Sequence, residues 1–273
     1  MYLTRHETNA GSRWALDGVY LPKGFKLEFL LGMEKTAVFD LLAAMKGGGG
    51  ETAVDPLLPP IEPTQEVWAS GVTYLRSRQA RQAESSVADV YERVYDAKRP
   101  ELFFKALGWR VVGSGQPLRI RRDSRWNVPE PEMTLVVNAL GQIVGYCAGN
   151  DMSSRSIEGE NPLYLPQAKT YRGSCGLGAG LLLGETLPLT QMPIQLEIER
   201  SNAAVFAGQT NSDQMKRTPA ELADWLGREL DFPQGVFLMT GTGLVPDESF
   251  TLQVGDVMRV TVGEMVLENQ VEG

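Results

Sequence analysis

The chain has 273 residues, 42% hydrophobic and 22% charged, with a formal net charge of −8. Such a length buries one large core or two unequal ones, and the acidic balance argues against a general nucleic-acid or anionic-membrane surface. No apolar run approaches membrane length and the N-terminus lacks a basic-then-apolar signal pattern, so a soluble, cytoplasmic protein is expected.

Residues 1–62 read as a small, separate α+β unit. The chain's single histidine, His6, is expected at the surface there. Phe25–Leu31 reads as a strand, whereas Val38, Leu41, Leu42 and Met45 form one face of a helix over Thr36–Met45. Gly47–Gly50 ends that helix as a flexible loop. It is no phosphate cradle, because neither a Lys-Ser/Thr pair nor a helix start follows. The proline-rich run Pro56–Pro63 reads as a stiff, extended linker and sets the boundary of a body over 63–273.

The body opens on a strand, Val67–Tyr74, that closes on a glycine. Residues 75–94 are charged and read as a helix, either a solvated face or a lid whose arginines swing over an anionic ligand. Arg99-Pro100-Glu101 is a proline-led turn into a short apolar strand ending at Lys105. Met133–Val137 and Ile143–Tyr146 flank an Asn138–Gly141 turn and predict a hairpin. Glu130 and Glu132 at its entry point the same way by the two-residue period, and Asp151 follows the second strand. Pro129 and Pro131 cannot donate to a ladder, which favours a strand end or edge. Three carboxylates with no histidine or cysteine in the set suit a hard cation, Mg²⁺ or Mn²⁺. Two solvated glutamates and an Asx-turn aspartate fit the same spacing. Cys147 and Cys175 make neither a disulfide framework nor a zinc site, and are expected as small buried residues. Further strands are predicted at Ile194–Glu199, Val236–Met239 and Val257–Val262. Between them, Thr218-Pro219-Ala220-Glu221 starts a helix with a buried stripe of Leu222, Trp225, Leu226 and Leu230.

Glu130-Pro131-Glu132, then Asn150-Asp151-Met152-Ser153-Ser154-Arg155, then Lys169, resembles the metal and active-site signature of the fumarylacetoacetate hydrolase superfamily. Met239–Gly243 and Gly255-Asp256 follow in the order that family uses. Tyr95–Lys105 and Glu160–Lys169 are similar to its 2-keto-3-deoxy-D-arabinonate dehydratase branch. The likeness runs from about Val67 to the end of the chain. It implies a rolled, mixed β-sheet catalytic domain, β-rich within an α+β chain that also carries the small N-terminal α+β domain. It also implies a homo-oligomer, dimer or tetramer, and Mg²⁺ or Mn²⁺ held by Glu130, Glu132 and Asp151.

By the same resemblance Glu101 is the base that takes a proton from C3 of a 2-keto acid, and Lys169 helps hold the metal-bound oxygens. Tyr74, Arg155 and Thr242 are then expected at the substrate, although Arg155 also suits a structural ion pair and Thr242 a tight glycine turn. Hydrolysing members use a lid histidine with a glutamate to activate water. This chain has Tyr74-Leu75-Arg76-Ser77-Arg78 where that histidine is expected, and its only histidine is His6. The reaction implied is therefore dehydration of a 2-keto-3-deoxy sugar acid, 2-keto-3-deoxy-D-arabinonate to 2,5-dioxopentanoate. The alternatives are hydrolysis or decarboxylation of a 2,4-diketo acid, and a catalytically silent relative that binds an organic acid.

Overall fold

The computed structural model describes residues 1–46, 50–76 and 93–273. The N-terminal strands are β1 (Tyr2–Thr8), β2 (Gly11–Leu16), β3 (Val19–Tyr20) and β4 (Leu57–Leu58). Then come β5 (Glu66–Gly71), β6 (Glu101–Leu107), β7 (Leu118–Arg119), β8 (Asn127–Val128), β9 (Pro131–Val137) and β10 (Ile143–Asp151). The rest are β11 (Ser153–Ser154), β12 (Cys175–Leu177), β13 (Gly180–Leu183), β14 (Pro193–Arg200), β15 (Ala203–Asn211), β16 (Val236–Met239), β17 (Val257–Val262) and β18 (Met265–Glu272).

Among the described residues an 11-stranded sheet runs β3-β2-β1-β13-β10-β9-β16-β5-β6, with β12 on β10 and β4 on β1. A 5-stranded sheet runs β15-β14-β17-β18-β7. Both are mixed, since β16–β5 and β18–β7 are parallel. The predicted hairpin is β9–β10, and the other predicted body strands form β5, β14, β16 and β17. Strand alternation builds two cores. Val136, Val144, Phe237 and Met239 pack toward the N-terminal helices. Leu135, Val137, Tyr146, Val236 and Leu238 pack against Ile194, Leu196, Val260 and Leu267 of the smaller sheet.

Phe25–Leu31, expected as a strand, is instead a helix over Leu27–Leu31. Leu27, Leu30 and Leu31 are all fully buried, and their spacing of three and four is helical. Each such leucine contributes about 1.5–3 kcal/mol by burial, which outweighs the strand propensity of a short apolar run. The next helix, Lys35–Lys46, buries Val38, Phe39 and Leu42, while Leu41 and Met45 are only partly covered. Of the glycine loop, residues 47–49 lie outside the described residues.

The proline-rich segment is tied down. Its Leu57 and Leu58 pair with His6 and Arg5 of β1. Glu62 reaches back to accept from the Trp14 indole at 2.8 Å and from the first helical N–H, Leu27, at 3.2 Å. β1 also joins β13, so strands from both sides of residue 62 share one sheet. His6, expected at the surface, is buried because its ring sits between Thr4, Asp55 and Tyr20. Both cysteines are buried and unpaired. The helix Pro219–Leu226 starts as predicted, with Thr218 Oγ1 accepting from Glu221 N–H. It ends before Gly227, so its stripe is Leu222, Ala223 and Leu226; Leu230 lies beyond it and is exposed, and Trp225 is half-buried. Of the predicted helix over 75–94, residues 77–92, and with them Arg78 and Arg81 of the expected lid, lie outside the described residues.

Candidate active site

Pro131 is the first residue of β9, where no ladder donor is needed, so the flanking prolines mark a strand end inside the sheet. Glu132 sits opposite Gly149 and Pro131 opposite Asn150. Beyond the ladder, Asn150 Oδ1 accepts from Glu130 N–H at 3.1 Å and Asp151 N–H donates to Glu130 O at 3.0 Å. These bonds hold Glu130 beside Asp151 across the hairpin. Ligand oxygens of Glu130, Glu132 and Asp151 all lie within 4.8 Å of one another, and all three side chains are buried.

Three cations face them. Lys169 Nζ lies 2.5 Å from Glu130 Oε2 and 3.0 Å from Asp151 Oδ2. Arg155 Nη2 lies 2.9 Å from Glu130 Oε1, which is the structural pairing open to it in the sequence. Lys105 Nζ lies 2.5 Å from Asp151 Oδ1 and also donates to the carbonyls of Met152 and Lys169. Glu132 is held by backbone: Gly241 N–H donates to its Oε2 at 2.6 Å. Gly241 has φ 86°, and a Cβ there would lie 2.1 Å from Thr73 Oγ1, so only glycine brings that N–H to the carboxylate. Burial first, then the charges of Asp151 and Glu130, push the Glu132 carboxyl well above the ordinary carboxylate range. Three buried carboxylates against three cations sum to zero when all are ionised. A divalent cation would leave the centre net positive, and an all-oxygen donor set fits Mg²⁺ or Mn²⁺.

Glu101, first residue of β6, sits opposite Gly71 of β5. A Cβ at residue 71 would lie 1.9 Å from Glu101 Oε2, so the glycine makes room for that carboxylate. One small cavity is lined by Glu101, Glu130, Lys169 and Thr242, together with Phe103, Glu158, Leu165 and the 70–72 turn. Val72 in that turn has φ 52°, a left-handed conformation that costs a β-branched residue about 1–3 kcal/mol. Thr242 reaches the cavity, but its hydroxyl exchanges hydrogen bonds with Leu244 N–H and O. Thr240 Oγ1 likewise donates to Met133 O. Tyr74 is 1% exposed, and its hydroxyl has no hydrogen-bond partner among the described residues. Burial, with Glu132 next in weight, raises that phenol and keeps it a neutral donor.

Sequence reasoning passed over Lys105 as a cluster member. The available signal was a lysine between Phe104 and Ala106 in an apolar strand. Its aim comes from a register shift: Val67 pairs with Ala106 and Trp68 with Phe104, leaving Lys105 unopposed. Tyr171 was also passed over. Its ring centroid is 6.0 Å from Lys105 Nζ, and its hydroxyl lacks a partner among the described residues.

The sequence model of the family described as "Fumarylacetoacetate (FAA) hydrolase C-terminal" matches residues 66–272. A Haloferax volcanii protein described as "Probable 2-keto-3-deoxyxylonate dehydratase" is 46% identical over 209 residues, covering 76% of this chain and 72% of its own. The 2-dehydro-3-deoxy-D-arabinonate dehydratase of Saccharolobus solfataricus is 40% identical over 212 residues, covering 76% of this chain and 70% of its own. Among solved structures, a 2-keto-3-deoxy-D-arabinonate dehydratase complexed with magnesium and 2,5-dioxopentanoate superposes with a TM-score of 0.81 at 30% identity, covering 100% and 99% of the two chains.

Proposed function

The chain belongs to the fumarylacetoacetate hydrolase family, and from that premise we propose that it removes water from a 2-keto-3-deoxy sugar acid. The substrate in this reading is 2-keto-3-deoxy-D-arabinonate or a close relative, and the product is 2,5-dioxopentanoate. The observation that carries it is one cavity in which Glu101 and Lys169 meet a buried carboxylate cluster. Glu130, Glu132 and Asp151 would hold a divalent cation that polarises the keto group of a 2-keto acid and acidifies its C3 protons.

The chain's own residues supply the rest. Glu101, on the cavity wall opposite Gly71, takes the C3 proton. Lys169, bonded to Glu130 and Asp151, fixes both carboxylates and lends positive charge to the substrate's oxygens. Arg155 orients Glu130. The buried Tyr74 hydroxyl offers a neutral donor, and Thr242 shapes the cavity wall.

Residues 1–62 form the supporting part of this proposal and bring no carboxylate to the cluster. A homo-oligomer, dimer or tetramer, belongs to it as well: β15 is a mostly exposed edge strand with backbone open to pairing. So does a cytoplasmic setting, supported by two buried, unpaired cysteines; no described helix is long and apolar enough to cross a membrane.

The test is solvent-deuterium exchange at C3 of an analogue lacking the C4 hydroxyl, with Mg²⁺ present. Wild type should exchange and Glu101→Gln should not. Equal exchange in both removes Glu101 from the mechanism, and turnover of a 2,4-diketo acid in place of the sugar acid replaces dehydration with hydrolysis.

A further inference from the structure

Of the three carboxylates that line the cavity, Glu158 alone has no role in the scheme above. Glu158 lies on the short helix Arg155–Glu160, whose start is capped by Ser154 accepting from Ile157 N–H. Arg155 and Glu158 are three apart and so share a helix face. That face is turned inward, since these are the helix's buried residues at 2% and 4% exposure. Arg155 reaches Glu130, while Glu158 lines the cavity with Glu101, Glu130 and Lys169. Ser153, itself fully buried, donates to Glu158 Oε2 at 3.3 Å and helps orient the carboxyl group. Of the four charged side chains on the cavity wall, Glu130 and Lys169 are bound into the metal cluster. Glu101 and Glu158 are the other two carboxyl groups on that wall, each able to give or take a proton.

The reaction needs two such groups. Removing a C3 proton is half of an elimination; the C4 hydroxyl leaves as water only if it gains a proton. The unsaturated product, a 5-hydroxy-2-oxo-3-enoate, is still not an aldehyde. Reaching 2,5-dioxopentanoate requires loss of a C5 proton and return of a proton to C3.

We propose that Glu158 is the acid that protonates the departing C4 hydroxyl and then the base that takes the C5 proton, an inference that rests on the dehydration reading. In the first step the C3–H electron pair forms the C3=C4 bond, the proton goes to Glu101, and the C4–O pair leaves with the Glu158 proton as water. In the second, Glu158, now a carboxylate, takes a C5 proton; the C5–H pair forms C4=C5, and the C3=C4 pair picks up the proton on Glu101. The C5 enol ketonises to the aldehyde, its hydroxyl proton passing to solvent and C4 taking one up. Both carboxyl groups finish in their starting protonation states, and the balance is one 2-keto-3-deoxy sugar acid to one 2,5-dioxopentanoate, with a single aldehyde at C5, and one water.

Three reactions of Glu158→Gln, compared with wild type in saturating Mg²⁺, test this. Dehydration of 2-keto-3-deoxy-D-arabinonate should fall by about 10²–10⁴-fold, as for loss of a positioned acid, while C3 exchange of the analogue without a C4 hydroxyl stays within about threefold. Fluoride release from the 4-fluoro analogue, whose leaving group needs no full proton transfer, should fall by less than about tenfold, and the unsaturated 5-hydroxy acid should accumulate in place of aldehyde. Glu158→Asp keeps a proton at shorter reach and should show the same pattern at smaller amplitude, which covers a Gln variant that fails to fold. Near-wild-type dehydration in Glu158→Gln overturns the assignment, as does an equal loss in all three reactions, which marks a structural role. Wild type that neither exchanges C3 nor dehydrates the sugar acid overturns the proposed function itself.

Discussion

Among the described residues, two buried polar clusters are built on opposite principles. In the N-terminal part, His6 is held by Asp55 O at 2.7 Å and Thr4 Oγ1 at 2.8 Å, and Tyr20 donates to Asp55 at 2.5 Å. Glu62 next to it accepts from an indole and a backbone N–H. Each group there finds complementary donors and acceptors close by, and the cluster holds strands and helix together. In the body, three carboxylates converge within 4.8 Å and are countered by Lys105, Lys169 and Arg155. Like charges gathered almost out of reach of solvent cost stability, and that arrangement persists where chemistry needs it. Polar saturation marks structure; concentrated like charge marks function.

The largest effect expected is on the carboxylate cluster as a whole. Chelation by EDTA should abolish turnover and added Mg²⁺ should restore it; full activity of Glu132→Ala after chelation would break the contrast outright. Glu101→Gln should cut turnover by about 10²–10⁴-fold while Mg²⁺ affinity, read by calorimetry, stays within about threefold.

Lys105→Met removes one partner of a fully buried ion pair and leaves Asp151 with less counter-charge. It should lower stability by about 3–5 kcal/mol in denaturant melts. Mg²⁺ affinity should weaken by about 10–100-fold, as for a residue that orients a metal ligand.

The cluster should also make the metal-free protein pH-sensitive. The Glu132 carboxyl is raised in the fold, so between its unfolded and folded pKa values the native state binds the extra proton. The Glu132 contribution to the stability of the EDTA-treated protein should be fully present below the ordinary carboxylate range and be lost as pH rises through the folded value. Mg²⁺, which binds the ionised form, should oppose the decline, and Glu132→Gln should flatten it. Thermal melts across that range check the sign; a metal-free protein that gains stability with pH through this group would refute it.

The smallest catalytic effect is expected from His6→Ala. Turnover should stay within about twofold while stability drops by about 1–3 kcal/mol, because Thr4 and Asp55 O lose their buried partner. A hundredfold loss of turnover would erase the distinction between the clusters.

Much of the site was legible in the residues themselves. Glu130, Glu132 and Asp151 flank one hairpin, so the two-residue period and a short turn bring them together almost locally. Strands dominated by their own alternation, such as β14, β16 and β17, were legible for the same reason, as was the capped start of the helix at Thr218. The segment Leu27–Leu31 was not. Five apolar-rich residues satisfy a strand or a helical turn equally, and contact with the Glu62 carboxylate and the large sheet selects the helix.

By itself, then, the sequence determined the donor set, its oxygen-only chemistry and the β-rich body, because each depends on neighbours a few residues apart. Only the tertiary structure decided which charges meet that set. Lys105 is aimed by a register shift against β5, Gly241 brings its N–H to Glu132 from 109 positions away, and Glu158 faces the cavity because a short helix folds back over it. Those contacts join segments whose spacing in the chain carries no period, so strand pairing and packing had to form before they existed.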